Sequence, residues 1–482
     1  MPLRQAALAL ALSALSACAD APPSDRPAHD RTRVAAEPVD EAAWLRLTDG
    51  EAAESVQDLL VVPPLVGRAQ PDGATLHLVA GDEPLAVSVY LDGASTPRAR
   101  ALLDAGAAHE FVLRDLQPGR HAFEVRSRAG PRVQRSPGAF STRAPPGEAF
   151  TVAVLADTHL PVPPPAWLRP GARRHPTAAR DFDRAHARVG GVFRQVSAAI
   201  AAAEPDLVVH LGDFMDGRSF GDNPPFPTRA VARHAYLDVR RHLGAAGSRA
   251  AFHAVIGNWD GENGWHPPRL FEHGLTTRLE LLPNPGPDTY AEGGGPNEDY
   301  YALTWGDALL VVLNVMSYTP LPHTLHPADQ GTGEDWTLGA EQLAWFERTL
   351  QASDAVHRLV FIHHPVAGRG GDAQQSRYGR GGGRAAHVGE QARVHELMVE
   401  HGARLLLYGH DHVFTDMTVD GVHYTLPGNA GAPWTFGRDI TGYETWDERS
   451  GYALLHVSPD AVRVDWHDVA GERFGGYVIE AP

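Results

Sequence analysis

Two hydrophobic rhythms divide the chain. Between about residues 55 and 147, apolar positions come in short runs separated by turn residues. Residues 86–91 and 111–113 are brief apolar runs, and residues 121–126 alternate, with Asp92-Gly93 and Gln117-Pro118-Gly119 between them. Short strands at this spacing predict a β-sandwich. From about residue 149 the grammar changes to strand, loop, helix. Continuous apolar runs at 150–155, 206–211, 251–256, 309–315, 358–362 and 403–408 predict buried strands. Helical patterns are predicted near 180–203, 228–244, 338–350 and 389–401, the third with Leu343, Phe346 and Leu350 on one face. Residues 452–457 and 462–466 read as closing strands. Such alternation predicts an α/β architecture whose chemistry lies at the carboxyl ends of the strands.

Polar blocks stand where those ends are predicted. In chain order they are Asp157-Thr158-His159, Gly212-Asp213, Gly257-Asn258-Trp259-Asp260, His363-His364-Pro365 and Gly409-His410-Asp411-His412. One Gly-Asp pair says nothing; five blocks in order, each after an apolar run, are specific. Mixed carboxylate, amide and imidazole donors suit a pair of divalent cations, which can clamp the attacking and leaving oxygens of a displacement at phosphorus. Glycines 212, 257 and 409 suit tight turns with backbone close to the ions.

This order of blocks resembles the calcineurin-like metallophosphoesterase family. Gln342 and Trp345 also match that family's habits. The resemblance implies an α/β/β/α sandwich with two mixed sheets. It implies one ion held by Asp157, His159, Asp213 and His412, and a second by Asp213, Asn258, His363 and His410. It also implies hydrolysis of a phosphoester by a hydroxide between the two ions, which could be Fe, Mn, Zn or Mg. The family pattern His-x-Pro selects His363 as the ligand and leaves His364 to reach substrate or to pack. Residues 116–123 resemble a turn of fibronectin type III domains, and residues 140–145 resemble the exit from the N-terminal domain of purple acid phosphatases. That subgroup has an iron-binding tyrosine where this chain has Asp216, so no tyrosinate colour is expected; Asp216 reads as a turn or supporting residue.

Trp259 breaks the pattern. The family usually has a histidine there, close to the leaving group, and indole has no acid–base chemistry. Loss of a general acid costs ~10²–10⁴-fold in rate. Three readings follow: another donor such as His266 or His364 replaces it, the substrate has a good leaving group, or turnover is weak. Trp259 could form an aromatic wall for substrate or pack beside the site. The segment 366–386, with Arg369, Arg377, Arg380 and Arg384, reads either as a phosphate-binding flap or as a solvated loop. Phosphomonoesters are favoured. The alternatives are a phosphodiesterase on nucleotides or lipid head groups, or a surface protein that binds phosphorylated ligands.

Composition adds limits. A chain of 482 residues exceeds one ordinary core. A net charge of −17 argues against non-specific nucleic-acid or anionic-membrane binding, although ions in a cleft can reverse the local sign. Every basic side chain is Arg, which reads as a base-composition bias. Cys18 is the sole cysteine, which excludes an intrachain disulfide and a thiolate metal site. Residues 6–15 are too short an apolar run to span a bilayer and suit a secretory signal. Leu15-Ser16-Ala17-Cys18 resembles a bacterial lipoprotein signal, which implies lipidation at Cys18, and Ala19 favours the outer membrane; an ordinary secretory peptide is the alternative. The expected organisation is a signal at 1–18, a tether at 19–54 (the alternative being an ordered segment lying on the next domain), a fibronectin type III-like β-sandwich at 55–147 acting as spacer or lid, and a phosphoesterase domain at 148–482. The expected protein is exported and membrane-anchored, facing periplasm or cell surface.

Overall fold

The computed structural model describes residues 39–49, 53–54, 58–162, 178–216, 228–262, 271–316, 337–364, 389–434 and 446–482. Cys18, His266 and the Arg-rich segment 366–386 lie outside the described residues. Within the stretch expected to be a tether, a helix forms, α1 (Glu41–Thr48), capped by Asp40, whose carboxylate accepts from the Ala42 and Ala43 N–H groups. Arg100 pins it, bonding Glu41 at 2.8 Å and lying over Trp44 at 4.9 Å.

Eight strands follow: β1 (Ala53–Glu54), β2 (Leu65–Gln70), β3 (Gly73–Val79), β4 (Leu85–Leu91), β5 (Ala99–Leu103), β6 (Ala108–Leu113), β7 (Arg120–Ala129) and β8 (Arg132–Ser141). They form a five-stranded sheet, β1-β8-β7-β4-β5, and a three-stranded sheet, β2-β3-β6. The alternation read at 121–126 is real: β7 buries Phe123, Val125, Ser127 and Ala129. β3 instead is buried at every position, so it shows no alternation. Its neighbourhood is covered from outside, where Leu65 and Val79 join a core cluster with Leu243 and Phe252 of the following α/β region.

That region contributes β9 (Phe150–Leu155), β10 (Leu160–Pro161), α2 (Ala178–Ala203), β11 (Leu207–His210), β12 (Met215–Asp216), α3 (Arg229–Arg249), β13 (Ala251–Ala254) and α4 (Phe271–Leu281). Then come β14 (Tyr301–Trp305), β15 (Ala308–Val312), α5 (Gly339–Ala352), β16 (His357–Phe361), α6 (Gly389–Glu400), β17 (Leu405–Leu407), β18 (Phe414–Val419), β19 (Val422–Pro427), β20 (Gly451–Val457), β21 (Ala461–Asp468) and β22 (Arg473–Glu480). Two mixed six-stranded sheets result, β13-β11-β9-β20-β21-β22 and β14-β15-β16-β17-β19-β18. Their inner faces share one core: Val152, Val154, Leu207 and Val209 of the first meet Leu310, Val312, Leu359 and Phe361 of the second. Each such side chain contributes about 1.5–3 kcal/mol on burial. Helices α2 and α3 cover the outside of the first sheet through Phe193, Val196, Tyr236 and Val239. Helices α5 and α6 cover the second through Phe346, Leu350, Val394 and Leu397. The layers therefore run helix, sheet, sheet, helix. α3 continues past Gly244, where φ 48° and ψ −124° break the helical geometry and the sequence pattern stops.

Polar contacts lock the N-terminal sheets onto this frame. The buried Arg240 guanidinium donates to the carbonyls of Pro63, His77 and Leu281 and to His77 Nδ1. Arg68 and Arg143 donate to the carbonyls of Asn284 and Thr304 at 2.9 and 2.8 Å. Among the described residues no helix is long and apolar enough to cross a membrane.

Candidate metal centre

Each of the five blocks begins where a parallel strand ends. β9 delivers Asp157 and His159, β11 delivers Asp213 and β13 delivers Asn258, while β16 and β17 of the facing sheet deliver His363, His410 and His412. Leaving the strands this sharply strains the backbone. Asp157, His159, Asp213, His410 and His412 all have positive φ, 54°, 45°, 56°, 76° and 63°. Such conformations cost on the order of 1–3 kcal/mol each and persist only where surroundings enforce them. Here the enforcers are visible. The His159 N–H donates to Asp213 O at 2.9 Å, and the His410 N–H to the Asp157 carboxylate at 3.0 Å. The buried Asp260 carboxylate accepts from the N–H groups of Asp213, Phe214 and Gly257 at 2.9, 2.7 and 2.7 Å, tying the second block to the third.

The seven residues converge as two groups with one member in common. Donor atoms of Asp157, His159, Asp213 and His412 lie within 4.8 Å of one another, as do those of Asp213, His363 and His410. Asn258 joins the second group: its Oδ1 is 2.8 Å from His363 Nε2 and 3.1 Å from His410 Nδ1. The shared atom is Asp213 Oδ2, 3.4 Å from His159 Nε2 and 3.2 Å from His363 Nε2. It is buried and has no hydrogen-bond partner.

Two of the imidazoles are held in one orientation. His363 Nδ1–H donates to Leu211 O and His412 Nδ1–H donates to Trp434 O, both at 2.7 Å, so each presents Nε2 to the cluster. Burial drives His159 well below the usual histidine range, helped by the charges of His412 and His363. Burial also lowers His363, but Asp213, Asp157 and Asp260 outweigh it and hold its pKa at about 9. Burial and the charge of Asp157 raise Asp213 against the pull of His363. An orphaned carboxylate oxygen, preset tautomers and crowded acids fit the donor set of a divalent metal centre. The glycines behave as expected, mainly by close approach. A Cβ on Gly257 would stand 2.2 Å from Asp213 N, and one on Gly409 2.9 Å from Asp157 Oδ2; Gly212 also needs its φ of 94°.

Trp259 lies beside the first group, its ring 5.9 Å from that of His159, while its N–H donates to Asp213 Oδ1 at 2.8 Å. Trp434, which no sequence motif singled out, packs there too: its ring is 4.7 Å from His159, 5.4 Å from His412 and 6.5 Å from Trp259. The only sequence signal was a lone tryptophan in a Gly-Pro-rich loop. His364 is buried beside the second group, 4.4 Å from the ring of His410. Asp216 lies in β12, which pairs with β10. A further set, His186, Asp238 and His242, joins α2 to α3; Arg194 donates to His242 Nε2 and Arg241 pairs with Asp238, so its polar atoms are engaged in helix packing.

A family model described as calcineurin-like phosphoesterase matches residues 150–414. No curated protein matches the chain in sequence. Among solved structures, that of PhoD is similar at a TM-score of 0.60 with 13% identity, covering 89% of this chain and 90% of that one. Purple acid phosphatase PPD1 from seeds of yellow lupin, Lupinus luteus, is similar at 0.58 with 13% identity, covering 86% of this chain and 74% of that one. At such identities the likeness is one of fold.

Proposed function

The chain belongs to the calcineurin-like phosphoesterase family, and we propose that within it the protein is a binuclear phosphomonoesterase. Membership makes it a hydrolase of phosphoester bonds with a divalent metal centre. The proposed ligand sets are Asp157, His159, Asp213 and His412 for one ion, and Asp213, Asn258, His363 and His410 for the other. The observation that carries two ions is Asp213 Oδ2, a buried acceptor without a hydrogen bond, central to both groups. Two divalent ions there would supply positive charge to a phosphoryl group and lower the pKa of water toward neutrality.

The protein's own groups do the positioning. Leu211 O and Trp434 O hold His363 and His412, and Asp260 fixes the loop that carries Asp213 and Asn258. His364, close to His410, is the described candidate for delivering a proton to the leaving oxygen; His266 remains the other candidate. Trp259 favours a second reading, a preference for activated esters or diesters, because the usual imidazole is missing. Further elements of the proposal are lipidation at Cys18, export to periplasm or cell surface, and a spacer role for the fibronectin type III-like sheets. Asp213→Asn tests the core of the reading: phosphoester hydrolysis should fall to background, and an unchanged rate would refute it.

A further inference from the structure

We infer that Trp259 and Trp434 together form an aryl-binding wall, and that the substrates are phosphoesters whose leaving group is a phenol. This rests on the phosphoesterase reading and names the leaving group for it. Two independent observations converge. The first is chemical: the position that usually carries a proton-donating imidazole carries an indole, so the departing oxygen receives no proton from residue 259. A phenolate, with a pKa near that of tyrosine at about 10, leaves without a proton far more readily than an alkoxide does.

The second observation is geometric. Trp434, from a distant part of the sequence, brings a second indole to the same side of the centre. The two rings are 6.5 Å apart at 61°, and both face His159. Both side chains are half-buried, so neither is sealed into the core. Each is fixed to the centre through its backbone: Trp259 N–H donates to Asp213 and Trp434 O accepts from His412. The wall is therefore held in register with the ligands. The His159 ring packs against both indoles, so a substrate ring would stack on the part of each indole that stays exposed, on the side turned away from His159. In the reaction, a water oxygen forms a bond to phosphorus as the P–O(aryl) bond breaks. The bond pair leaves on the phenolate; the attacking water gives up one proton to solvent and the phenolate takes one from it, giving phosphate and phenol, so proton delivery by His364 matters only for poorer leaving groups.

The test uses metal-loaded protein and two unreactive probes, phenylphosphonate and methylphosphonate, with binding measured by calorimetry and ion content measured in parallel. Phenylphosphonate should bind the native protein about tenfold more tightly, the size expected of a good aromatic contact. Trp259→Leu and Trp434→Leu should each remove most of that preference while leaving methylphosphonate affinity unchanged. Should Trp434→Leu lose ions, Trp259→Leu, whose ring lies farther from His159, decides alone. Equal affinity for the two probes in the native protein would overturn the inference, and so would a preference that survives both substitutions. Failure of the native protein to bind either probe and to hydrolyse any phosphoester would instead overturn the parent reading, and this one with it.

Discussion

A methyl group on Gly257 would sit 2.3 Å from Asp213 Oδ1. The glycine therefore sets where the shared carboxylate can lie. Gly257→Ala should displace Asp213, lower ion content and reduce kcat by about 100-fold, the scale of a 1 Å misplacement. Gly191→Ala is the control, because nothing lies within 4 Å of its added Cβ. It should leave ion content and rate unchanged; metal analysis and steady-state kinetics distinguish the two.

Trp259→His restores an imidazole where the family usually has one. The expected gain is on the order of 10²-fold in kcat/KM for alkyl phosphates, with little change for aryl phosphates. A plot of rate against leaving-group pKa should flatten. His364→Ala should steepen the same plot if His364 supplies the proton in the native protein, and an unchanged slope removes it from that role.

His253 sets an acid limit on stability. It is buried on β13, neither ring nitrogen has a hydrogen-bond partner, and burial drives its pKa down to about 3. The unfolded chain takes up its proton near pH 6.5, and the folded protein does not until about pH 3. Its contribution is therefore complete above pH 6.5 and is lost as pH falls toward 3. At pH 5 the loss should be about 2 kcal/mol. His253→Leu should lose correspondingly less stability between pH 7.5 and 5 in urea unfolding; an identical loss in both proteins would contradict this origin.

Arg240 joins the N-terminal sheets to the α/β frame through three carbonyls and His77. Arg240→Ala leaves those buried acceptors unpaired, at about 1–3 kcal/mol each. The urea midpoint should fall strongly, and the N-terminal sheets should become sensitive to limited proteolysis before the α/β region. Hydrolysis per folded molecule should persist, because Arg240 bonds to none of the seven proposed ligands.

Much of this was legible in the sequence, for reasons that differ from residue to residue. Buried parallel strands write continuous apolar runs, so residues 150–155 appear as β9 with the same ends. The proposed ligands follow such runs, which is why their positions could be read from the sequence. Trp434 was illegible because its role rests on a backbone carbonyl and on packing across sheets. β3 was illegible because a neighbour covers the face that solvent normally marks with polar residues. Helix α1 was missed because eight residues with no buried side chain carry little periodic signal. The positive φ values of five of the proposed ligands were not read from the sequence either: Asp and His are enriched at such backbone among non-glycine residues, but only a few per cent of non-glycine residues adopt it, so residue type alone does not mark the position.

In the proposed centre Asp213 is shared by two ions. The most direct measurement is bound metal per chain, after exhaustive dialysis, in the native protein and in Asp213→Asn. About two ions are expected in the native protein and at most one in the variant. One ion in the native protein, or two retained by Asp213→Asn, would contradict it.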